Sequence, residues 1–210
     1  WKYDGVNAPS MVANINPNDD SDPTYLTVLN NELYFQANDG ASNPELWKYT
    51  GSGNPSLVAE IIPSPLYGSS PQELIVFNNE LYFRANGGSG AELWKMMHGT
   101  SSAILVANIN PSGSSNPTYL TVFNNELYFA ADDGTNGQEL WKYDGVNAPS
   151  MVADINSGDS SYPGYLTVFN DELYFSANGG TNGQELWKYD GVNAPVMVAD
   201  INSGTWDSNP

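Results

Sequence analysis

A chain of 210 residues, 40% apolar and 12% aromatic, is long enough and apolar enough to bury a substantial core. Its 24 acidic residues against 6 basic ones give a net charge of −18, which leaves nucleic-acid phosphates and anionic lipid without electrostatic partners; no nucleic-acid partner is expected. Cysteine is absent, excluding a disulfide framework and thiolate metal ligands, and no apolar run reaches the roughly 18 residues of a membrane span, so no membrane insertion is expected.

The chain opens on WKYDGVNAPSMVANIN, a phrase that returns further on as WKYDGVNAPSMVADIN and WKYDGVNAPVMVADIN. Its tryptophan recurs as Trp1, Trp47, Trp94, Trp141 and Trp187, at intervals of 46, 47, 47 and 46 residues. A second anchor, NNELYF or a close variant, ends at Phe35, Phe83, Phe129 and Phe175. Self-similarity at this period covers the whole chain and decides the architecture.

In chain order, Trp1–Ile15 reads as the last two strands of a unit. Four complete units follow, Tyr25–Ile62, Leu74–Ile109, Tyr119–Ile155 and Tyr165–Ile201. The third shows the pattern best. YLTVF (Tyr119–Phe123) is β-branched and aromatic, and Asn124-Asn125 suits a tight hairpin. ELYFAA (Glu126–Ala131) is the returning strand, DDGTNGQ (Asp132–Gln138) a polar loop, and ELWKY (Glu139–Tyr143) a third strand. DGVNAP (Asp144–Pro149) is a turn, SMVADI (Ser150–Ile155) a fourth strand, and NSGDSSYP (Asn156–Pro163) leads to the next unit. No segment carries a helical apolar period.

Four short antiparallel strands in about 46 residues, repeated, predict an all-β fold of β-propeller blades. A β-solenoid is the competing architecture, but its repeats are shorter and lack paired tight hairpins. Blades are packed on both faces, so YLTVF and ELYF should both be buried strands. The division predicted is one repeat domain: a half-blade over 1–23 and blades over 24–71, 72–117, 118–163 and 164–210, about four and a half blades of a closed object holding five or more.

The string ELWKYDG (Glu139–Gly145), followed by MVADIN, a Pro/Gly/Ser connection, YLTVFN and a DGTNGQ-type loop, resembles the ELWxxDGT repeat family. These are tandem modules of predominantly bacterial, secreted or surface-associated proteins, and the strand order is similar to kelch-type propellers. The resemblance implies an extracellular or cell-surface setting. The match departs from the family where its threonine should stand: Val6, Ser52, Val146 and Val192 occupy that place, and Thr100 alone keeps it. The Asp-Gly turn is likewise replaced by Thr50-Gly51 and His98-Gly99.

Five outer strand pairs stand against four inner pairs. This predicts either a longer tandem array, with a natural mass above 22.7 kDa, or a blade completed by another chain through self-association. Strand order puts the Asn-Asn hairpins and DGVNAP turns at one end of each unit, and the DDGTNGQ-type loops and the connections at the other. Function is expected at the latter end.

There, Tyr67, Tyr162 and Trp206 break the repeat pattern and are candidate sugar-stacking rings; the alternative is that they cover seams between blades. Asp19, Asp20 and Asp22, with Asp132 and Asp133, are candidate Ca²⁺ ligands, although Asp and Asn are also what sharp turns require. Ca²⁺ is the one cofactor suggested. Trp47, Trp94, Trp141 and Trp187 are expected to pack between blades. The glutamates Glu45, Glu92, Glu139 and Glu185 are expected to accept loop amides. His98 is the only histidine and has no evident partner, so the chain is expected not to be an enzyme. These readings converge on a non-catalytic extracellular module for multivalent recognition of glycan or extracellular matrix. A structural module of a surface or matrix polymer, without a dedicated ligand, is the alternative.

Overall fold

The computed structural model describes residues 1–41, 44–59, 61–62 and 68–210. Among them there is no helix, and sixteen strands form four antiparallel sheets. The first sheet is β1 (Thr24–Leu29), β2 (Glu32–Ala37), β3 (Glu45–Tyr49) and β4 (Ser56–Ala59). The second is β5 (Gln72–Phe77), β6 (Glu80–Asn86), β7 (Ala91–Met97) and β8 (Ile104–Ala107). The third is β9 (Thr118–Phe123), β10 (Glu126–Asp132), β11 (Gln138–Tyr143) and β12 (Ser150–Ala153). The fourth is β13 (Gly164–Phe169), β14 (Glu172–Asn178), β15 (Gln184–Tyr189) and β16 (Val196–Ala199). In each, neighbours in space are neighbours in sequence. The chain divides into two compact units, Trp1–Gly88 with Lys95–Ile104, and Ser89–Trp94 with Leu105–Pro210.

The hairpins close as their residues dictate. Both central positions have positive φ at Asn30-Asn31, Asn78-Asn79, Asn124-Asn125 and Asn170-Asp171, the geometry of a type I′ turn. Asn and Asp tolerate that region best among residues with a side chain, and the turn's twist matches that of the strands it joins.

The second strand of each sheet forms the core. In β10, Leu127, Tyr128, Phe129, Ala130 and Ala131 are all fully buried, and β2, β6 and β14 follow the same pattern. The first strands differ from expectation. Leu26 and Val28 of β1, and Val168 and Phe169 of β13, are exposed. YLTVF has a strand on one side only, and a bulge turns its start: the register slips between Thr24 and Thr27, and between Gly164 and Thr167.

The four repeated tryptophans are half-buried rather than buried. In the second unit Trp187 packs against a cluster that joins the third and fourth sheets, including Phe123, Tyr128, Leu140, Leu173, Phe175 and Tyr189. The indole N–H groups of Trp94, Trp141 and Trp187 are buried without a hydrogen-bond partner, so these rings contribute as apolar bodies. Trp1 is 83% exposed. Its segment holds a single two-residue bridge, Lys2 with Ser10, instead of the two strands expected; a lone pair with no third strand beside it is marginal in water.

Candidate functional site

Both ends of the sheets are built by repeated polar devices. At the hairpin end, a glutamate at the start of each second strand accepts a tyrosine hydroxyl and a lysine from its own sheet. Glu126 takes Tyr128 Oη at 2.7 Å and Lys142 Nζ at 3.1 Å, and Glu32, Glu80 and Glu172 do the same with Tyr34/Lys48, Tyr82/Lys95 and Tyr174/Lys188. The lysine and tyrosine donors hold Glu172 below the usual carboxylate range, while burial, and then Glu126, pushes the Tyr128 phenol well above its own. His98 Nε2 lies 3.4 Å from Glu32.

At the opposite end, the fully buried glutamates Glu45, Glu92 and Glu139 each accept the amide and hydroxyl of a serine in the following connection, Ser69, Ser115 and Ser161. Glu139 also accepts the Ile155 amide at 3.0 Å. Burial pushes its carboxyl up, against these hydrogen bonds, which hold it down. Glu185 accepts Ile201 N at 2.9 Å, but Ser208 turns to the Gln184 carbonyl instead, and Glu185 Oε1 stays unpartnered. The connections are thereby tied to the third strands, as the sequence suggests. The connections that begin at Asn110 and Asn156 are also wedged against a glycine loop: a Cβ on Gly134 would stand 2.7 Å from Asn110 Oδ1, and one on Gly180 2.6 Å from Asn156 Oδ1.

Three of the candidate Ca²⁺ ligands, Asp19, Asp132 and Asp133, accept hydrogen bonds within their own turns. Asp132 Oδ1 accepts Gly134 N, and Asp133 accepts Thr135 N, Asn136 N and Asn136 Nδ2, all at 2.6–2.8 Å. Asp19 Oδ1 accepts Asp20 N at 2.9 Å, and Asp19, Asp20 and Asp22 line a groove of about 360 Å³ with Trp1, Met11 and Phe35. Among the described residues no group of three or more His, Cys, Asp or Glu side chains is gathered as a metal would need.

The candidate sugar-stacking rings separate. Tyr67 lies outside the described residues. Trp206 is 72% exposed, its backbone lies against Gly183, and it does not line the concavity that Tyr162 enters. Tyr162 enters a concavity of about 390 Å³ in the second unit, whose wall also carries the rings of Tyr119 and Tyr165, the amides of Gln138 and Gln184 and the hydroxyl of Ser176. Asn209 and Pro210 also line it, and among the described residues of its wall no side chain is charged.

The backbone places these rings. Tyr119 and Tyr165 sit at the bulges of β9 and β13 with φ of 57° and 55°, and Tyr162, before Pro163, has φ of 50°. The left-handed region is uncommon for a tyrosine, but the same column adopts it in the other sheets, at Tyr25 (53°) and Glu73 (58°), so the conformation belongs to the repeated bulge. The structure turns the ring of Tyr119 toward that of Tyr165, with centroids 5.3 Å apart and planes tilted by 50°. Thr121 Oγ1 donates to Leu166 O at 3.2 Å and fastens β9 to β13 beside the pair. Gln184 Nε2 donates to Ser176 Oγ at 3.1 Å, which steadies the amide at the wall. Tyr162 and Tyr165 are 56% and 68% exposed, so their faces are open to a ligand.

Of the residues that line this hollow, sequence reasoning singled out Tyr162 and passed over Tyr119, Tyr165, Gln138, Gln184 and Ser176. The tyrosines at the head of YLTVF read as strand residues; only the bulge turns them outward. A signal was present, since their column reads Tyr25, Glu73, Tyr119 and Tyr165 and so departs from strict apolar repetition.

No protein-family model matches the chain, and no curated protein is significantly similar to it. Solved structures do resemble it. It is similar to a puromycin hydrolase, with TM-score 0.58 and 13% identity over 86% of this chain and 28% of that one. It is similar to an acylaminoacyl peptidase of Pyrococcus horikoshii, with TM-score 0.53 and 9% identity over 84% and 27%. A putative TolB of Agrobacterium tumefaciens gives TM-score 0.53 and 11% identity over 89% of this chain and 70% of that one. At these identities the likeness is one of fold, to propeller-like arrangements of four-stranded sheets.

The chain thus spans about a quarter of the lengths of the hydrolase and the peptidase it resembles. The expectation that it is not an enzyme is corrected by these matches. This arrangement of sheets occurs within enzyme chains, and the scarcity of histidine in a stretch that covers so little of them is no argument against catalysis.

Proposed function

We propose that this chain is a carbohydrate-recognising module of a secreted or cell-surface protein, built as blades of a β-propeller of the ELWxxDGT-repeat kind, with the tyrosine-lined concavity of its second unit as the recognition site. The observation that carries this reading is the combination of open phenol rings with neutral amides and a hydroxyl in one hollow. The CH face of a pyranose packs on an aromatic ring, and its hydroxyls need donors and acceptors at the rim. The volume, about 390 Å³, falls in the range of small-ligand pockets. Glycan or extracellular matrix is the partner that fits.

The test is binding of a glycan array by the purified chain, followed by titration calorimetry on the best ligand. Tyr165→Ala should weaken binding about tenfold, a loss of about 1.4 kcal/mol. An array without a bound glycan, or a Tyr165→Ala variant of unchanged affinity, overturns the assignment.

A further inference from the structure

The four sheets are alike in backbone, and one of the register pairs that differ among them lies at the tyrosine-lined hollow. Opposite each other, at the start of the first strand and in the later part of the second, stand Thr24 and Gln36, Gln72 and Arg84, Thr118 and Ala130, and Gly164 and Ser176. In the first two sheets the pair is bridged by its own side chains. Thr24 Oγ1 donates to Gln36 Oε1 at 2.8 Å, and the Arg84 guanidinium donates to Gln72. In the fourth sheet the pair shrinks to a hydrogen atom and a hydroxymethyl group, and both residues line the hollow.

Gly164 is not there for backbone freedom, because its φ lies outside the left-handed region. What it supplies is room. A Cβ added to it would stand 3.1 Å from Ser176 Oγ and 3.5 Å from the Tyr119 ring. Any larger side chain would therefore take the space between that ring and the serine. The third-strand position beside the pair varies in the same direction: Pro44, Ala91, Gln138 and Gln184, so both amides belong to the second unit.

We propose that the repeats are not equivalent binding units: Gly164 and Ser176 open one specialised site in the fourth sheet, and that site takes an uncharged sugar. This rests on the carbohydrate reading above and sharpens its ligand class. The described residues of the wall offer the Gln138 amide, the phenol hydroxyls of Tyr162 and Tyr165, and no cation to neutralise a uronate or sulfate. The surrounding chain carries −18, which repels acidic glycans at long range. Neutral rings meet neither penalty.

The experiment titrates the full chain with neutral gluco-, xylo- and manno-hexasaccharides and with oligogalacturonate as the acidic counterpart. Two variants close the hollow with residues that the first sheet already accommodates: Ser176→Gln alone, and Gly164→Thr with Ser176→Gln. Melting temperature and circular dichroism report whether each still folds. The expected result is binding of a neutral hexasaccharide, at least tenfold weaker binding in Ser176→Gln, and no detectable binding in the double variant. Binding that survives in folded closed variants overturns the single-site inference and leaves the carbohydrate reading standing. Preference for oligogalacturonate overturns the uncharged-ligand part. If the unaltered chain binds none of the four, the carbohydrate reading falls, and this inference with it.

Discussion

Asp144 and Asp190 show how much of this molecule is held by single carboxylates in water. Each accepts the amides two and three residues on with one oxygen and an asparagine side chain with the other. These hydrogen bonds favour the ionised form. The Val146 amide is the leading cause for Asp144 and the Asn193 side chain for Asp190, and both groups are held below the ordinary carboxylate value of 3.8. Asp4, in the same turn of the opening phrase, is lowered to about 2, first by the Asn7 side chain. The sign follows from linkage: a depressed folded-state value stabilises the turn above pH 3.8, and that stability is lost as pH falls toward the folded value. Carboxyl NMR titration should find Asp144 and Asp190 with midpoints below 3.8; a midpoint at or above it would mean that the turn bonds are absent in solution.

At the scale of elements, the second and first strands of one hairpin have opposite characters, and a pair of substitutions separates them. Phe129 of β10 is fully buried and Val122 of β9 is 37% exposed. Phe129→Ala should destabilise by about 4 kcal/mol, from lost transfer energy and the cavity left behind. Val122→Ala should cost under about 1 kcal/mol. Denaturant unfolding measures both, and equal losses would contradict the burial gradient described above. The strands, their order and their tight turns were legible in the sequence because Asn-Asn pairs, Asp-Gly turns and the period act locally. The exposure of YLTVF was not legible, because an apolar strand with one neighbour reads like an apolar strand with two. The candidate site was half legible. Tyr162 stands out as a departure from the repeat, whereas Tyr165 joins the hollow only through a bulge. Gly164 gains meaning only beside Thr24, Gln72 and Thr118 in the same register position.

At the scale of the whole molecule, charge is the dominant imbalance. Of the six cations, Lys48, Lys95, Lys142 and Lys188 are each paired with a glutamate of their own sheet at 2.9–3.1 Å. Partly exposed pairs of this kind contribute about 0–1 kcal/mol each and weaken in salt. The excess of acid acts over longer distances, and salt screens it across a Debye length of about 10 Å at 0.1 M. The repulsion should outweigh the pairs, since four bridges face a net charge of −18. The melting temperature should therefore rise as sodium chloride is increased from about 10 mM to about 0.5 M. A fall would show that the four bridges matter more than the surplus.

The DGVN turns also decide how this chain can be handled. Val146 and Val192 are about 85% exposed, and the bonds that fix their turns run through backbone amides and the neighbouring Asp and Asn. Their side chains do no structural work, consistent with Ser52 and Thr100 in the same column. A cysteine placed at Val192 would be the sole thiol of a chain that has none. It would sit at the end of its sheet opposite the tyrosine-lined hollow. Coupled through that sulfur to a sensor chip or a bead, every molecule would present the hollow outward.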